Sequence, residues 1–168
     1  RLKEFSKDPI VIDGMLKSNT SDTNIFSEFS RKSRIKGTED LNLIYAYDIA
    51  KEEPVASAVY PGNMLDYTAF RDFIKTYPIE KGFLIMDKGF DDRQSKEIMK
   101  EQNIKYLIPT KLTSSIKKLD LSTGFDTSFA FDNDTIRAKK IILEDKIYYC
   151  YKSTKAKAMQ EIGYMDIL

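Results

Sequence analysis

The segment that most restricts the fold is Phe83-Leu84-Ile85-Met86, an unbroken apolar run between Gly82 and Asp87-Lys88-Gly89. It is too short for a helix and closed on both sides by turn residues. Such a run predicts a strand covered on both faces. Asp91 or Asp92 can cap the next segment, which predicts a helix through about Gln102. Lys105–Ile108 then returns to strand. A strand–helix–strand unit over 83–108 pairs its strands in parallel through a right-handed crossover.

Antiparallel pieces precede this unit. Pro9-Ile10-Val11-Ile12 reads as a strand ending at Asp13-Gly14. Residues 15–40 read as loop, because Ser18, Asn19, Thr20, Ser21 and Asp22 break any pattern. Leu41–Asp48 alternates Leu41, Leu43, Tyr45 and Tyr47 against Asn42, Ile44, Ala46 and Asp48. Val55–Tyr60 is a second β-branched run, with Val55 and Val59 on one face. Lys51-Glu52-Glu53-Pro54 is the turn of the resulting hairpin. After the breaker Pro61-Gly62-Asn63, Asp66 caps a helix carrying Phe70, Phe73, Ile74 and Tyr77, stopped by Pro78. This order predicts an α/β fold, a mixed sheet flanked by helices.

The texture changes after Pro109. Thr110–Thr127 is polar and reads as loop. Ser128–Phe131, Thr135–Leu143 and Lys146–Tyr151 are β-like runs joined by Asp132-Asn133-Asp134 and Glu144-Asp145, which predicts an antiparallel meander. Ser153–Leu168 reads as a helix. The expected organisation is a core over residues 1–112, a β-rich insertion over 113–152 and a helix over 153–168.

Composition narrows the chemistry. The chain has no histidine and one cysteine, Cys150. That excludes a Ser–His–Asp triad, a Cys–His pair, His-ligated zinc or haem, an internal disulfide and a Cys-x-x-Cys redox pair. No Walker loop or Gly-x-Gly-x-x-Gly fingerprint occurs, so no nucleotide cofactor is expected. No apolar run approaches the roughly 18–20 residues that span a bilayer. Arg1–Ile10 is charged rather than signal-like, which predicts a cytoplasmic protein with no membrane partner. Twenty-seven Lys and Arg against 26 Asp and Glu leave only +1, so any anionic partner must be read from local clusters.

Carboxylates remain, with lysines, hydroxyls and a hard metal ion. Asp13 and Asp87 each follow a buried-looking strand and precede a turn, at the carboxyl ends where open α/β sheets place their sites. If the strands are neighbours, the two charges repel, and a divalent cation relieves the repulsion. Mg²⁺ and Mn²⁺ favour carboxylate oxygen over nitrogen or sulfur. Two such ions about 3.5–4 Å apart can drive a phosphodiester displacement without an imidazole. Equally, Asp-Gly is a common turn pair.

Five stretches keep a recognisable order: Asp13-Gly14, Asn42-Leu43-Ile44-Tyr45-Ala46-Tyr47-Asp48, Pro54-Val55, Tyr60-Pro61-Gly62-Asn63-Met64-Leu65-Asp66 and Asp87-Lys88-Gly89-Phe90. Over most of residues 8–168 this order resembles bacterial insertion-sequence transposases with a DDE domain (insertion sequence family four and its relatives). The resemblance implies a ribonuclease H-like fold with a β-rich insertion. It implies that Asp13 and Asp87 are catalytic and bind Mg²⁺ or Mn²⁺. It also implies double-stranded DNA as partner, both transposon ends and target, with assembly as a homo-oligomer on DNA. Water cuts at the ends in this family, and the freed 3′ hydroxyl then attacks target DNA. Met15 departs from the family's usual Thr, and Lys88 stands where Arg is common. No Tyr–Arg–Glu–Lys pattern supplies the third carboxylate, and Glu161 lacks the flanking residues. The resemblance therefore implies a catalytic-core fragment that stops before that glutamate.

Candidate DNA contacts are Arg31, Lys32, Arg34 and Lys36, four basic residues in six, with Lys88 and Arg93 near Asp87. Asn63 reads either as a helix-opening residue or as a polar contact near the site. Residues 135–157 hold a second basic cluster: Arg137, Lys139, Lys140, Lys146, Lys152, Lys155 and Lys157. Any one of these lysines can also be ordinary solvated surface. The tyrosines of the hairpin and meander suit cross-strand packing better than base stacking. Two other functions use the same residues: a ribonuclease H-like nuclease that only hydrolyses, and a non-catalytic DNA-binding remnant of a decayed transposase.

Overall fold

The computed structural model describes residues 9–21, 23–33, 35–77, 83–110, 116, 119, 123–143 and 146–156. The chain divides into two compact units, residues 1–111 and 112–168.

In the first unit β1 (Pro9–Asn19), β2 (Glu39–Asp48), β3 (Glu53–Pro61), β4 (Phe83–Met86) and β5 (Lys105–Leu107) form one sheet, ordered β3-β2-β1-β4-β5. The pairs β1–β2 and β2–β3 are antiparallel, whereas β1–β4 and β4–β5 are parallel. This is the mixed sheet expected of a ribonuclease H-like core. Helix α1 (Asp66–Thr76) follows the hairpin, and α2 (Arg93–Glu101) links β4 to β5.

Alternation on the strands selects the core face. Ile10 and Ile12 of β1, Ile44 and Ala46 of β2, and Leu84 and Met86 of β4 pack with Ala69, Phe70, Phe73 and Ile74 of α1 and Met99 of α2. Both phenylalanines are fully buried, and burial of each contributes about 2–3 kcal/mol. The intervening residues Val11, Asp13, Leu43, Tyr45 and Ile85 are only half-buried, and Met15 is exposed. The carboxylate of Asp13 therefore lies on the side of the sheet away from the helices.

Several expectations need correction. β1 does not end at Asp13-Gly14. It continues to Asn19, because β2 is long enough to pair it through Asn19↔Glu39 after β4 has ended. Val55 and Val59 do not share a face. A register shift in the β2–β3 ladder at Ala46/Tyr47 leaves Val55 as an extra residue packed on the core, while Val59 pairs with Leu43 on the other side. Pro54 is tolerated because β3 is an edge strand.

The covered face of β2 also carries the polar residues Asp40, Asn42 and Asp48. The Asn42 amide donates to the Met64 carbonyl at 3.0 Å. The Ser18 hydroxyl donates to Asp40 Oδ1 at 3.2 Å. Asp48 Oδ1 accepts the backbone N–H groups of Ala50 and Lys51 at 3.0 and 3.1 Å. These partners offset the cost of burying Asn42 and Asp48, whereas Asp40 Oδ2 is buried with no hydrogen-bond partner among the described residues.

The second unit is a three-stranded meander, β6 (Thr127–Phe131), β7 (Asp134–Leu143) and β8 (Lys146–Ser153), in that order. Asp132 and Asn133 take φ of 49° and 56°, as a two-residue hairpin turn requires. The expected Glu144-Asp145 link lies outside the described residues. Residues 154–156 are helical after β8. The rest of the helix expected over 153–168, with Glu161, lies outside the described residues, as do Pro78, Gly82 and Arg34. Among the described residues no helix is long and apolar enough to cross a membrane.

Candidate active site

The parallel β1–β4 ladder ends at Ile12↔Met86. Asp13 is the next residue along β1, and Asp87 is the first residue past the end of β4, so each aspartate follows directly on the last paired residues of two adjacent strands. The 73 residues between Asp13 and Asp87 return the chain to this point. Asp13 is half-buried, and Asp87 is exposed.

The two carboxylates are held differently. Asp13 Oδ1 accepts the Gly14 N–H at 2.8 Å, and Oδ2 accepts the Tyr45 hydroxyl at 3.1 Å. Burial raises the Tyr45 phenol above its ordinary value, and the bond to Asp13 and that residue's negative charge raise it further. Asp87 opens the short 3₁₀ turn Lys88–Phe90 and accepts the Gly89 N–H at 3.4 Å. Phe90 anchors the turn: it is buried, and its ring lies 5.2 Å from that of Phe70. Gly14 fits over it, because a Cβ there would touch Phe90 Cζ at 3.4 Å.

Asp87 lines an open cleft with Lys32, Asp66, Arg71, Lys88, Gly89, Asp91 and Asp92. Asp66 is not the helix cap expected of it. The N-cap is Leu65, without a side-chain bond, and Asp66 is the first helical residue. Its carboxylate is instead paired with Lys32 and lies within 3.5 Å of the Asn42 amide. Asp92 does cap α2, accepting the N–H groups of Gln94 and Ser95 at 2.9 and 3.3 Å. Arg71 stacks over Tyr67, 5.3 Å from the ring centre, and lies 3.9 Å from Asp92 Oδ1. Lys96 pairs with Asp91.

The structure thus brings Lys32 and Lys88 to the same cleft as Asp87. Arg31, Lys36 and Asn63 are exposed and do not line it. Arg93 lies on the outer side of α2, where its Nε donates to Glu97 at 2.8 Å. Sequence reasoning missed Tyr45, Arg71 and the cleft position of Asp66. The Pro-Gly-Asn-Met-Leu-Asp stretch was a signal for Asp66. Nothing in the sequence gave the β1–β2 register that sets Tyr45 opposite Asp13.

The donor set suits a hard divalent cation in kind. Two carboxylates on adjacent strands match the one or two that Mg²⁺ takes from protein when substrate phosphates complete its shell. Among the described residues no three His, Cys, Asp or Glu side chains are grouped closely enough to hold a metal together.

The family model described as transposase DDE domain matches residues 5–160. Among solved structures, the chain resembles the piggyBac transposase in a synaptic complex with hairpin DNA: 14% identity, TM-score 0.45, 86% of this chain and 32% of that one. It also resembles the Mos1 transposase in a paired-end complex with the left transposon end: 13% identity, TM-score 0.38, 62% of this chain and 36% of that one. The chain therefore spans about a third of each. No curated protein matches it.

Proposed function

Because this chain belongs to the transposase DDE domain family, we propose that it is the catalytic domain of a DNA transposase. Its reaction is divalent-metal-dependent phosphodiester cleavage and strand transfer at the ends of a bacterial insertion sequence. The observation that carries this reading is that Asp13 and Asp87 each directly follow Ile12↔Met86, the last pair of the parallel β1–β4 ladder.

Asp13 and Asp87 are the residues that hold Mg²⁺ or Mn²⁺. A divalent cation held by these two carboxylates would supply Lewis-acid stabilisation of the charge that develops at a scissile phosphate. The Gly14 N–H and the Tyr45 hydroxyl keep the Asp13 carboxylate oriented. Lys32 and Lys88 sit on the cleft beside Asp87, where each can meet a DNA phosphate. To do so Lys32 exchanges the Asp66 carboxylate for phosphate. Arg31, Arg34, Lys36 and Asn63 make outlying contacts to double-stranded DNA, whereas Arg93 is held by Glu97 away from the cleft. The β-rich segment over 113–152 is an insertion in the core of residues 1–112.

The test places the protein, expressed from its complete reading frame, with linear DNA carrying the ends that flank that frame. Mn²⁺ and a free 3′-hydroxyl DNA are supplied. Joined products are expected, and both cleavage and joining disappear in Asp87→Asn. Cleavage without joining would instead identify a purely hydrolytic nuclease. Binding without cleavage would identify a non-catalytic remnant. Cleavage that survives Asp87→Asn would overturn the site.

A further inference from the structure

We propose that Tyr45 is a positioning residue for Asp13, fixing the carboxylate with which the site holds its divalent cation; this rests on the reading of Asp13 given above. The two residues are direct cross-strand partners in the β1–β2 ladder. Asp13 takes one hydrogen bond on each oxygen: the Gly14 N–H at 2.8 Å on Oδ1, and the Tyr45 hydroxyl at 3.1 Å on Oδ2.

The second bond changes what the first can do. A single donor from the neighbouring peptide leaves the carboxylate plane free to turn about its last torsion, which is soft. A donor on the other oxygen, from a different strand, closes that freedom. Each carboxylate oxygen has two lone pairs, so one remains on each for a cation. Tyr45 suits the task because it is a neutral donor and brings no positive charge to compete for the site. Its own position is firm: β2 lies inside the sheet, and Tyr45 is paired with Asp13 on one side and Ser57 on the other. Among the described residues, Asp87 accepts only the long 3.4 Å bond from its own turn. Outer partners of metal-binding side chains commonly contribute 10–100-fold to affinity.

The test uses the full 168-residue chain and free Mn²⁺ followed by electron paramagnetic resonance. Tyr45→Phe is expected to weaken Mn²⁺ binding about 10-fold, and Tyr47→Phe to leave it unchanged. In an Asp13→Asn background, Tyr45→Phe should add nothing, because its effect passes through the missing carboxylate. Mn²⁺ should also perturb the tyrosine near-ultraviolet band of the unmutated chain, and this signal should vanish in Asp13→Asn. That measurement stands even if Tyr45→Phe fails to fold. Undiminished affinity in a folded Tyr45→Phe, or a full effect in the Asp13→Asn background, would overturn the role of Tyr45 alone. If Asp13→Asn itself leaves Mn²⁺ affinity unchanged, the reading of Asp13 as a metal-binding residue falls, and the role of Tyr45 with it.

Discussion

Gly62 lies against the backbone of Asp40: a Cβ on Gly62 would stand 2.1 Å from the Asp40 carbonyl oxygen and 2.7 Å from that of Glu28. Neither oxygen can retreat easily. Glu28 and Asp40 exchange two backbone hydrogen bonds, at 2.9 and 3.1 Å, and the Gly62 N–H is itself bonded to the Phe26 carbonyl at 3.2 Å. Gly62 thus staples the 20–38 segment to the end of the hairpin. We expect Gly62→Ala to cost about 3 kcal/mol or more, by the overpacking it forces. Urea unfolding of the parent and the variant measures it.

DNA affinity should separate Lys88 from Arg93. Lys88 lines the cleft beside Asp87, whereas Arg93 is paired with Glu97 on the outer side of α2. Each phosphate contact adds about 0.9 to the slope of log affinity against log salt. Lys88→Ala should lower the slope by about that amount, and Arg93→Ala should leave it nearly unchanged. The exposed Lys32–Asp66 pair contributes little to stability, under about 1 kcal/mol, so Lys32→Ala should lower the slope without unfolding the chain.

Tyr60 should give the core an alkaline limit. Its ring is buried, and its hydroxyl donates to Asp72 Oδ2 at 3.1 Å. Burial, then the bond to Asp72 and that residue's charge, raise its pKa above the ordinary value of 10.0. The protonated phenol is therefore favoured in the folded state. Its contribution is fully present below pH 10 and is lost as the pH rises toward the folded value. Tyr60→Phe should cost about 1 kcal/mol at neutral pH, the worth of one hydrogen bond, and should flatten the loss of stability above pH 10. Denaturant midpoints from pH 8 to 11 test both effects.

Asp134 should give the meander an acid limit. The Ser153 hydroxyl, the Lys155 and Thr135 N–H groups and the Lys155 charge lower its pKa below 3.8, the Ser153 bond most strongly. A depressed carboxyl stabilises the fold above its unfolded pKa and loses that contribution as the pH falls through the folded value. Ser153→Ala should weaken the pH dependence of the β6–β8 unit below about pH 4. Amide exchange or tyrosine spectra of that unit across pH 2–6 would reveal an unchanged profile if the bond is inconsequential.

Elements marked by apolar runs and hard punctuation were legible in the sequence. Phe83–Met86, the Pro-Gly break and the Asp92 cap place their elements correctly, but β4 is not covered on both faces as its unbroken apolar run predicts: Leu84 and Met86 are buried, and Phe83 and Ile85 only half-buried. Legibility failed where a distant partner decides. Lys17-Ser18-Asn19 look like loop, yet they are strand because β2 extends to meet them. Asp40 looks like loop, yet it is a strand residue on the covered face, where Ser18 bonds one of its carboxylate oxygens. Two similar run endings marked Asp13 and Asp87 as equivalent, but that their strands are neighbours came only with the β1–β4 pairing. The Tyr45 contact did not, because a register is a relation between strands and leaves no mark on either one.

The unexpected length of β1 gives the two aspartates unlike mechanical footings. Asp13 sits inside a ladder that continues six residues beyond it, while Asp87 projects past the end of its own strand. Opening the backbone at Asp13 requires breaking the β1–β2 ladder, whereas Asp87 and the exposed Lys88-Gly89 can shift about the buried Phe90 anchor without opening any ladder. The pair resembles a wrench with one fixed and one adjustable jaw. Under the function proposed above, a phosphodiester passing through two successive displacements changes its charge and shape, and the adjustable jaw is the one that can follow it.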